Sequence, residues 1–525
     1  HRLIRRQRQM CIRDRDIIAL ANIHMTTPET KEQMLKTFRQ SSRWQGWLIK
    51  YLRKTPVKKV FTKIRQKERI KELVKIGLNP QKIRFINHHL CHAAAAYYGY
   101  ANFSEPVLVL TCDGAGDGIC ASVNIGEKGK LKTIATIKDS ESLGNLFAIV
   151  TFLMGMVPLE HEYKIMGMAP YADNRGVERV YKKLISKFKF SEHNPLVWQR
   201  TEGMPETFYT YKYLQKLFEL ERFDGIMGGV QKFLEEILVQ WVQNCIKVTS
   251  IHKVVLSGGV FINIKANNRI MELKEVKDLF VYPSCGDETN AMGACYYVYA
   301  QTQGIEKIKP LADIYFGPDY SNEEVLFTIK NYKFKNCQIE FKKIEKIEEE
   351  IATLLAQGEI VARFVGREEF GARSLGNRAI LADPSRTELI KVINEMIKNR
   401  DFWMPFACSI LAECEKDYII NPKCIPAPYM ILSFDSTDRL DECKAGSHPY
   451  DGTIRPQIVY REHNPEYHKL ISEFKKITGR GAILNTSFNL HGYPIVHTPR
   501  DALAVFDESG LKYLAIEQYL ISKKS

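Results

Sequence analysis

The sequence predicts a mixed α/β protein of two units, and three observations carry that reading. Apolar strands end repeatedly in glycine-containing or polar turns, as in PVLVLTCDGAGDG (106–118), KVVLSGG (253–259) and GAILNTS (481–487). Amphipathic segments with helical period alternate with these strands. The chain has 525 residues, 45% of them hydrophobic, which suits two or three cores better than one.

In the first unit, strand 106–112 is followed by CASVNIG (120–126) and KLKTIATIKD (130–139), joined by a short GEKG turn. Helical periodicity then covers 141–156 and about 227–248. After strand 253–259 come a helix over 261–273, strand DLFVYP (278–283) and a helix from 288 to about 300. Three strands followed by alternating helices and strands describe a mixed layer that presents ligands at strand ends. Residues 304–345, Lys-rich and containing Pro310, Gly317 and Pro318, read as the approach to a boundary. The second unit opens with helix EEIATLLAQG and strand EIVARFVG (359–366), and continues through REEFGARSLGNR, a helix over 386–398 and strand 481–487.

Composition excludes several classes. Subtracting 61 acidic from 75 basic residues gives +14, but the basic residues are dispersed and do not interleave with aromatics as in RNA-binding surfaces. Solvated lysines account for the charge, and nucleic acid is not the expected partner. Twelve cysteines lie scattered without a CxxC pair, against zinc ribbons and a disulfide framework. No apolar run reaches the roughly 18 residues needed to cross a bilayer. The opening HRLIRRQRQMCIRDRD is basic but lacks the apolar core of a secretory signal. A cytoplasmic globular protein is expected.

Within INHHLCHAAAAYY (86–98), His88 and His92 stand four apart and share one face of a helix. Such a pair is half a site for a divalent metal, or a polar cap on a buried helix. Asp113 in DGAGDG and Asp287 in PSCGDETNAMGA could complete a metal site, since both stand where an apolar strand gives way to a glycine turn. Asp113 and Asp117 could equally close a hairpin, and Asp287 could cap the next helix. Glycines let backbone N–H groups approach phosphate. Gly114 and Gly116 in one loop, and Gly258, Gly259 and Asn263 in SGGVFIN, therefore read as two jaws of a nucleotide cleft. The second unit concentrates anion-binding groups: Arg367, Arg373, Arg378, Arg386, Lys398 and Arg400, then Arg455 and the polar NTSFN with Asn485, Ser487 and Asn489. Arginine binds phosphate bidentately, while Ser and Asn orient oxygens without adding charge.

Taken together, HHLCHAAAAYY, DGAGDG, HEYKIMGMAPY, LSGGVFIN, CGDETNAMGA, GARSLGNRAILADP, KNRDFWMPFA, DGTIRPQIV and ILNTSFN resemble the O-carbamoyltransferases that modify nodulation factors and antibiotics. They occur in order from about residue 86 to the end. The resemblance implies an actin/hexokinase-type (ASKHA, Kae1-like) domain over 16–335, built as a pair of ribonuclease-H-like halves. It implies a YrdC-like twisted α/β domain over 345–525, whose K-x-R and S-x-N pattern matches Lys398/Arg400 and Ser487/Asn489. Arg373 is retained where GARSLG replaces the family's G-P-R-A-L-G. By the same resemblance, carbamoyl phosphate and ATP, with magnesium as its counterion, give carbamoyl-adenylate in the second domain. The carbamoyl group then passes to a substrate hydroxyl in the first. His88, His92, Asp113 and Asp287 match the family's metal ligands, with iron the expected ion, and Lys164 is a phosphate or carbamoyl contact.

The resemblance also implies an N-terminal strand hairpin bearing a His-Asp pair, and nothing before Asp16 matches it. Residues 1–15 are therefore expected to be a non-native leader on a truncated frame. Two other readings stand beside this one: a tRNA threonylcarbamoyl-type enzyme, and an actin/hexokinase-fold sugar kinase.

Overall fold

The computed structural model describes residues 17–23, 31–41, 57–398, 401 and 403–524. The expected leader and Arg400 lie outside them. The chain divides into two compact units, one ending at Leu311 and one beginning at Ala312.

Unit 1 begins with β1 (Ile18–Ala21), α1 (Lys31–Ser41), α2 (Val57–Lys75) and β2 (Ile83–Ile86), which pairs parallel to β1. Helix α3 (His88–Tyr100) leads into three antiparallel strands, β3 (Val107–Gly116), β4 (Ile119–Glu127) and β5 (Lys130–Lys138). Then come α4 (Leu143–Leu153), α5 (Glu162–Met168), α6 (Asn174–Ile185), the small hairpin β6 (Phe188–Phe190) with β7 (Trp198–Arg200), and α7 (Tyr211–Leu217). The long α8 (Phe223–Thr249) precedes β8 (Lys253–Ser257), α9 (Ile264–Glu272), β9 (Asp278–Val281) and α10 (Asn290–Gln303).

The main sheet runs β5-β4-β3-β8-β9, with β8 parallel to β3 and β9 parallel to β8. That is the strand order of a ribonuclease-H-like half, as expected for the actin/hexokinase type. β3 lies at its centre because Val107, Leu108, Val109 and Leu110 are fully buried, each contributing about 1.5–3 kcal/mol.

Helix α3 starts where the Asn87 side chain accepts the Leu90 N–H at 3.1 Å, satisfying one of the orphan donors of the first turn. Its alanines, Ala93–Ala96, are wholly buried and let neighbours come close. Helix α10 is one of the elements that come close. A Cβ on Gly293 would stand 1.9 Å from the Cys91 carbonyl oxygen.

Unit 2 contains α11 (Asn322–Asn331), β10 (Ile339–Lys343), α12 (Ile347–Ala356), β11 (Val361–Phe364), β12 (Arg378–Ala382), α13 (Glu388–Ile393), β13 (Ala407–Leu411) and α14 (Glu415–Tyr418). It ends with β14 (Gln457–Val459), α15 (Pro465–Thr478), β15 (Ala482–Ser487), α16 (Pro499–Glu508), β16 (Tyr513–Ile516) and β17 (Tyr519–Lys523). One mixed eight-stranded sheet orders them β10-β17-β16-β11-β12-β15-β13-β14.

The division falls earlier than the expected 335–345. β10 is an edge strand of the second sheet, paired with β17, and Val325 and Ile329 of α11 join the second core. The Lys-rich segment is thus structured. Its overlooked signal was a capping box, Ser321 with Glu324, which starts α11. The expected helix over 386–398 is α13 continued by a π-helical turn, Asn394–Lys398. Such widened turns recur at functional sites, and this one ends on Lys398.

Candidate functional site

His88, His92, Asp113 and Asp287 come together in unit 1, with one donor atom from each lying within 4.8 Å of all the others. Helix α3 supplies both histidines from one face. The two Nε2 atoms are 3.1 Å apart. β3 supplies Asp113, whose Oδ2 is 3.2 Å from His88 Nε2. The turn before α10 supplies Asp287, whose Oδ1 is 3.3 Å from His88 Nε2 and 3.4 Å from His92 Nε2. The histidines are buried, but the Asp287 side chain is 54% exposed, so the cluster opens to solvent on that side.

Neighbours orient these donors. His88 Nδ1 donates to Asn22 Oδ1, at the end of β1, where Asn22 takes a φ of 77°. His92 Nδ1 faces Ser257 Oγ at 3.3 Å. With the Nδ1 atoms so engaged, both Nε2 atoms face into the cluster, the arrangement seen when a second shell holds metal-ligating imidazoles. Gly259 N–H donates to Asp113 Oδ1 at 2.9 Å.

The surrounding carboxylates favour positive charge at this place. Burial works against a charged His88, but its hydrogen bond to Asp113 and the nearby carboxylates outweigh that and raise its pKa. Burial also opposes ionisation of Asp113, yet His88 and His92 hold its carboxyl below the usual carboxylate range. A cluster of two imidazoles and two carboxylates whose donor atoms lie within 4.8 Å of one another fits a divalent cation of intermediate hardness, such as iron, manganese or zinc. His89 stands aside: it bonds Thr111 Oγ1 at 2.8 Å and the Ile119 carbonyl, and burial, with His88 and His92 adding to it, depresses its pKa to about 3. Burial pushes the Cys91 thiol up to about 12, as a packing cysteine should be. Asp117 accepts N–H bonds from Ile23 and His88, tying β1 to the start of α3.

The glycine loops also serve close packing within the unit. The two jaws meet each other at Asp113. A Cβ on Gly116 would stand 2.0 Å from His88 Cγ, and Gly258, at φ +110°, passes so close to Cys112 that a Cβ would lie 2.2 Å from its carbonyl oxygen. Asn263 is committed within the protein, accepting the Ala266 N–H and exchanging hydrogen bonds with Gln231. These residues seat the four-residue cluster. Gly114 lies against α4, where a Cβ on Gly144 would stand 2.9 Å from the Gly114 amide nitrogen. Lys164 sits on α5, which packs against α8. Gly116→Ala is expected to displace the His88 ring, lower the melting temperature and abolish stoichiometric metal binding, since overpacking a filled site costs about 1–3 kcal/mol. Metal analysis of the purified variant alongside its thermal melt checks both effects.

In unit 2, Lys398 is buried and its Nζ donates to the Ser487 carbonyl, to Ser487 Oγ at 3.1 Å, to the Asn489 carbonyl at 3.3 Å and to Asn489 Oδ1. Ser487 Oγ in turn donates to Asn489 Oδ1 at 2.7 Å. K and S-x-N, separated by about 90 residues, thus form one cluster.

Among the described residues, several of the arginines are engaged within their own unit. Arg367 is pinned to the carbonyls of Phe316 and Gly317. Arg378 is fully buried, stacked on Phe364 at 3.6 Å and bonded to backbone carbonyls. Arg386 lies beside Asp383. Asn485 is buried, donating to Ser374, Ser409 and Gln457, and is part of the framework. Arg373 stands half-buried in the loop between Gly371 and Gly376, both at φ +104°. Arg455, in the ordered turn before β14, is also half-buried. Sequence reading passed over two buried groups: Arg363, which bonds the Gly376 carbonyl and Asn377, and Glu369. Glu369 Oε1 accepts the N–H groups of Leu375, Asn377 and Arg378 and so shapes the Arg373 loop.

Fold and site thus define a two-unit α/β protein with a cation-ready His/Asp cluster in one unit and a lysine cluster in the other. Residues 33–296 match the family model for the carbamoyltransferase N-terminus, and residues 352–523 that for the carbamoyltransferase C-terminus. An uncharacterized protein of Methanocaldococcus jannaschii is 32% identical over 458 residues, covering 84% of this chain and 74% of that protein. Nodulation protein NolO of Bradyrhizobium diazoefficiens is 30% identical over 451 residues, covering 84% and 79%. Among solved structures, full-length HypF in its phosphate- and nucleotide-bound form overlaps 47% of this chain and 51% of that one, at 16% identity and a TM-score of 0.28, a likeness too slight to transfer detail. The chain belongs to the carbamoyltransferase family and is an enzyme of that class. No helix of the described residues is long and apolar enough to cross a membrane.

Proposed function

We propose that the chain is an ATP-dependent O-carbamoyltransferase working in two steps. In unit 2, water releases phosphate from carbamoyl phosphate, and an oxygen of the resulting carbamate attacks the α-phosphorus of ATP. The Pα–O–Pβ bond breaks, giving carbamoyl-adenylate and pyrophosphate. In unit 1, an acceptor hydroxyl attacks the carbamoyl carbon, the bond to AMP breaks, and the hydroxyl proton is lost. The observation that carries this reading is the gathering of Lys398, Ser487 and Asn489 in one unit and of His88, His92, Asp113 and Asp287 in the other.

Lys398 is the natural partner for charge developing on the departing phosphate and pyrophosphate, and Arg373, Arg400 and Arg455 are assigned to the same anions. Ser487 and Asn489 hold the ammonium in place. His88, His92, Asp113 and Asp287 would hold the metal, iron in this reading, which supplies Lewis acidity toward the adenylate carbonyl or the hydroxyl. The exposed Asp287 edge is where an acceptor enters. The acceptor is a hydroxylated small molecule or saccharide, and the compartment is the cytoplasm.

Incubation with carbamoyl phosphate, ATP and labelled pyrophosphate tests the first step. Label is expected to enter ATP only when carbamoyl phosphate is present. Label-free ATP together with phosphate transfer to a sugar would overturn the reading in favour of a kinase.

A further inference from the structure

One side chain at the His/Asp cluster has no role in the reading above. Gly293 lets α10 press against α3 at Cys91. One turn earlier on α10, Asn290 consequently meets the face that carries His88 and His92. Its side chain is 2% exposed. The carboxamide nitrogen stands 3.3 Å from His92 Nε2, 3.4 Å from Asp287 Oδ1 and 3.4 Å from His88 Nδ1. Its oxygen is buried with no hydrogen-bond partner.

Two facts make this orientation a poor match to a loaded site. His88 Nδ1 gives its proton to Asn22, so an amide N–H beside it sets donor against donor. The same N–H₂ group also stands against His92 Nε2 and Asp287 Oδ1, the atoms that converge on the cation position. An amide nitrogen has no lone pair for a cation and its hydrogens are repelled by one. The carboxamide oxygen is a good donor to divalent ions. A half-turn about the terminal torsion exchanges the two atoms without moving the backbone, and the two orientations differ only in which atom is assigned where.

We propose that Asn290 turns its carboxamide oxygen into the cluster and serves as a fifth protein ligand to the divalent ion. This rests on the metal reading of His88, His92, Asp113 and Asp287. Exchange of Asn290 for a residue without an oxygen removes one donor, whereas aspartate keeps it.

The test uses the full chain and Mn²⁺ alone, without nucleotide, comparing wild type with Asn290→Leu and Asn290→Asp. Asn290→Leu is expected to weaken Mn²⁺ binding by about tenfold or more, with an unchanged melting temperature in chelator. Asn290→Asp is expected to bind at least as tightly as wild type. X-ray absorption on the Mn²⁺-loaded protein is expected to lose one oxygen from the first shell in the leucine variant only. Undiminished binding by Asn290→Leu, or equal losses in both variants, would overturn the proposal while leaving the four-residue site standing. Should the leucine variant fail to fold, the aspartate variant and the wild-type shell count decide. Wild-type protein that binds no Mn²⁺ sinks the metal reading and this proposal together.

Discussion

Lys398→Ala is expected to remove carbamoyl-phosphate-dependent exchange of pyrophosphate into ATP. Loss of a single positioned donor to developing charge costs about 10²–10³ in rate, and a full positive charge at that place is worth at least as much. The substitution also strips a buried donor from Ser487 and Asn489, so a stability loss of about 1–3 kcal/mol accompanies it. Comparing exchange rates at a temperature well below the variant's melting point separates chemistry from unfolding. Retention of more than about a tenth of the wild-type exchange, set against that 10²–10³ expectation, would take Lys398 out of the first step.

His92→Ala is expected to have the opposite profile. The variant loses a nitrogen donor that lies 3.1 Å from His88 Nε2 and 3.4 Å from Asp287 Oδ1, and with it the divalent ion. Carbamoyl transfer to a hydroxyl is expected to fall by several orders of magnitude, while pyrophosphate exchange stays near wild type. Metal content, exchange and carbamoyl transfer measured on one preparation give the three readouts. Exchange lost together with metal would mean that the two steps are not divided between the units.

Much of the fold was legible because its signals are local. The Val/Leu run before DGAGDG is a strand in any context that buries it, and the 3.6-residue period of 227–248 survives as α8. The capping box at Ser321 is equally local, but the Lys, Pro and Gly around it read as the approach to a boundary. β10 and α11 belong to the second unit through partners at β17 and in the shared core, nearly 200 residues away. No window of sequence displays such pairings.

For the site, residue chemistry was legible and residue placement was not. His88 and His92 share a face by helical arithmetic alone, and the motifs pointed to Asp113 and Asp287 as their partners and to Lys398, Ser487 and Asn489 as a separate cluster in the second unit. A glycine that admits phosphate and one that admits a neighbouring ring look alike in sequence. Only the packed structure assigns Gly116 to the His88 ring. The arginines carry a related ambiguity. Positive charge in a row reads as an anion site, yet Arg367 and Arg378 bond carbonyls of their own unit.

The sequence by itself determined the two-unit α/β organisation, the strands that end in polar turns and the residue types available for metal and phosphate chemistry, since all of these follow from period, composition and spacing. The tertiary structure alone decided that His88 Nδ1 meets Asn22 and which glycines serve contact. It also decided that Glu369 shapes the Arg373 loop and that Asn290 stands among the metal donors. Each of these depends on chain segments brought together across long separations, and burial then fixes which polar atoms are left to act.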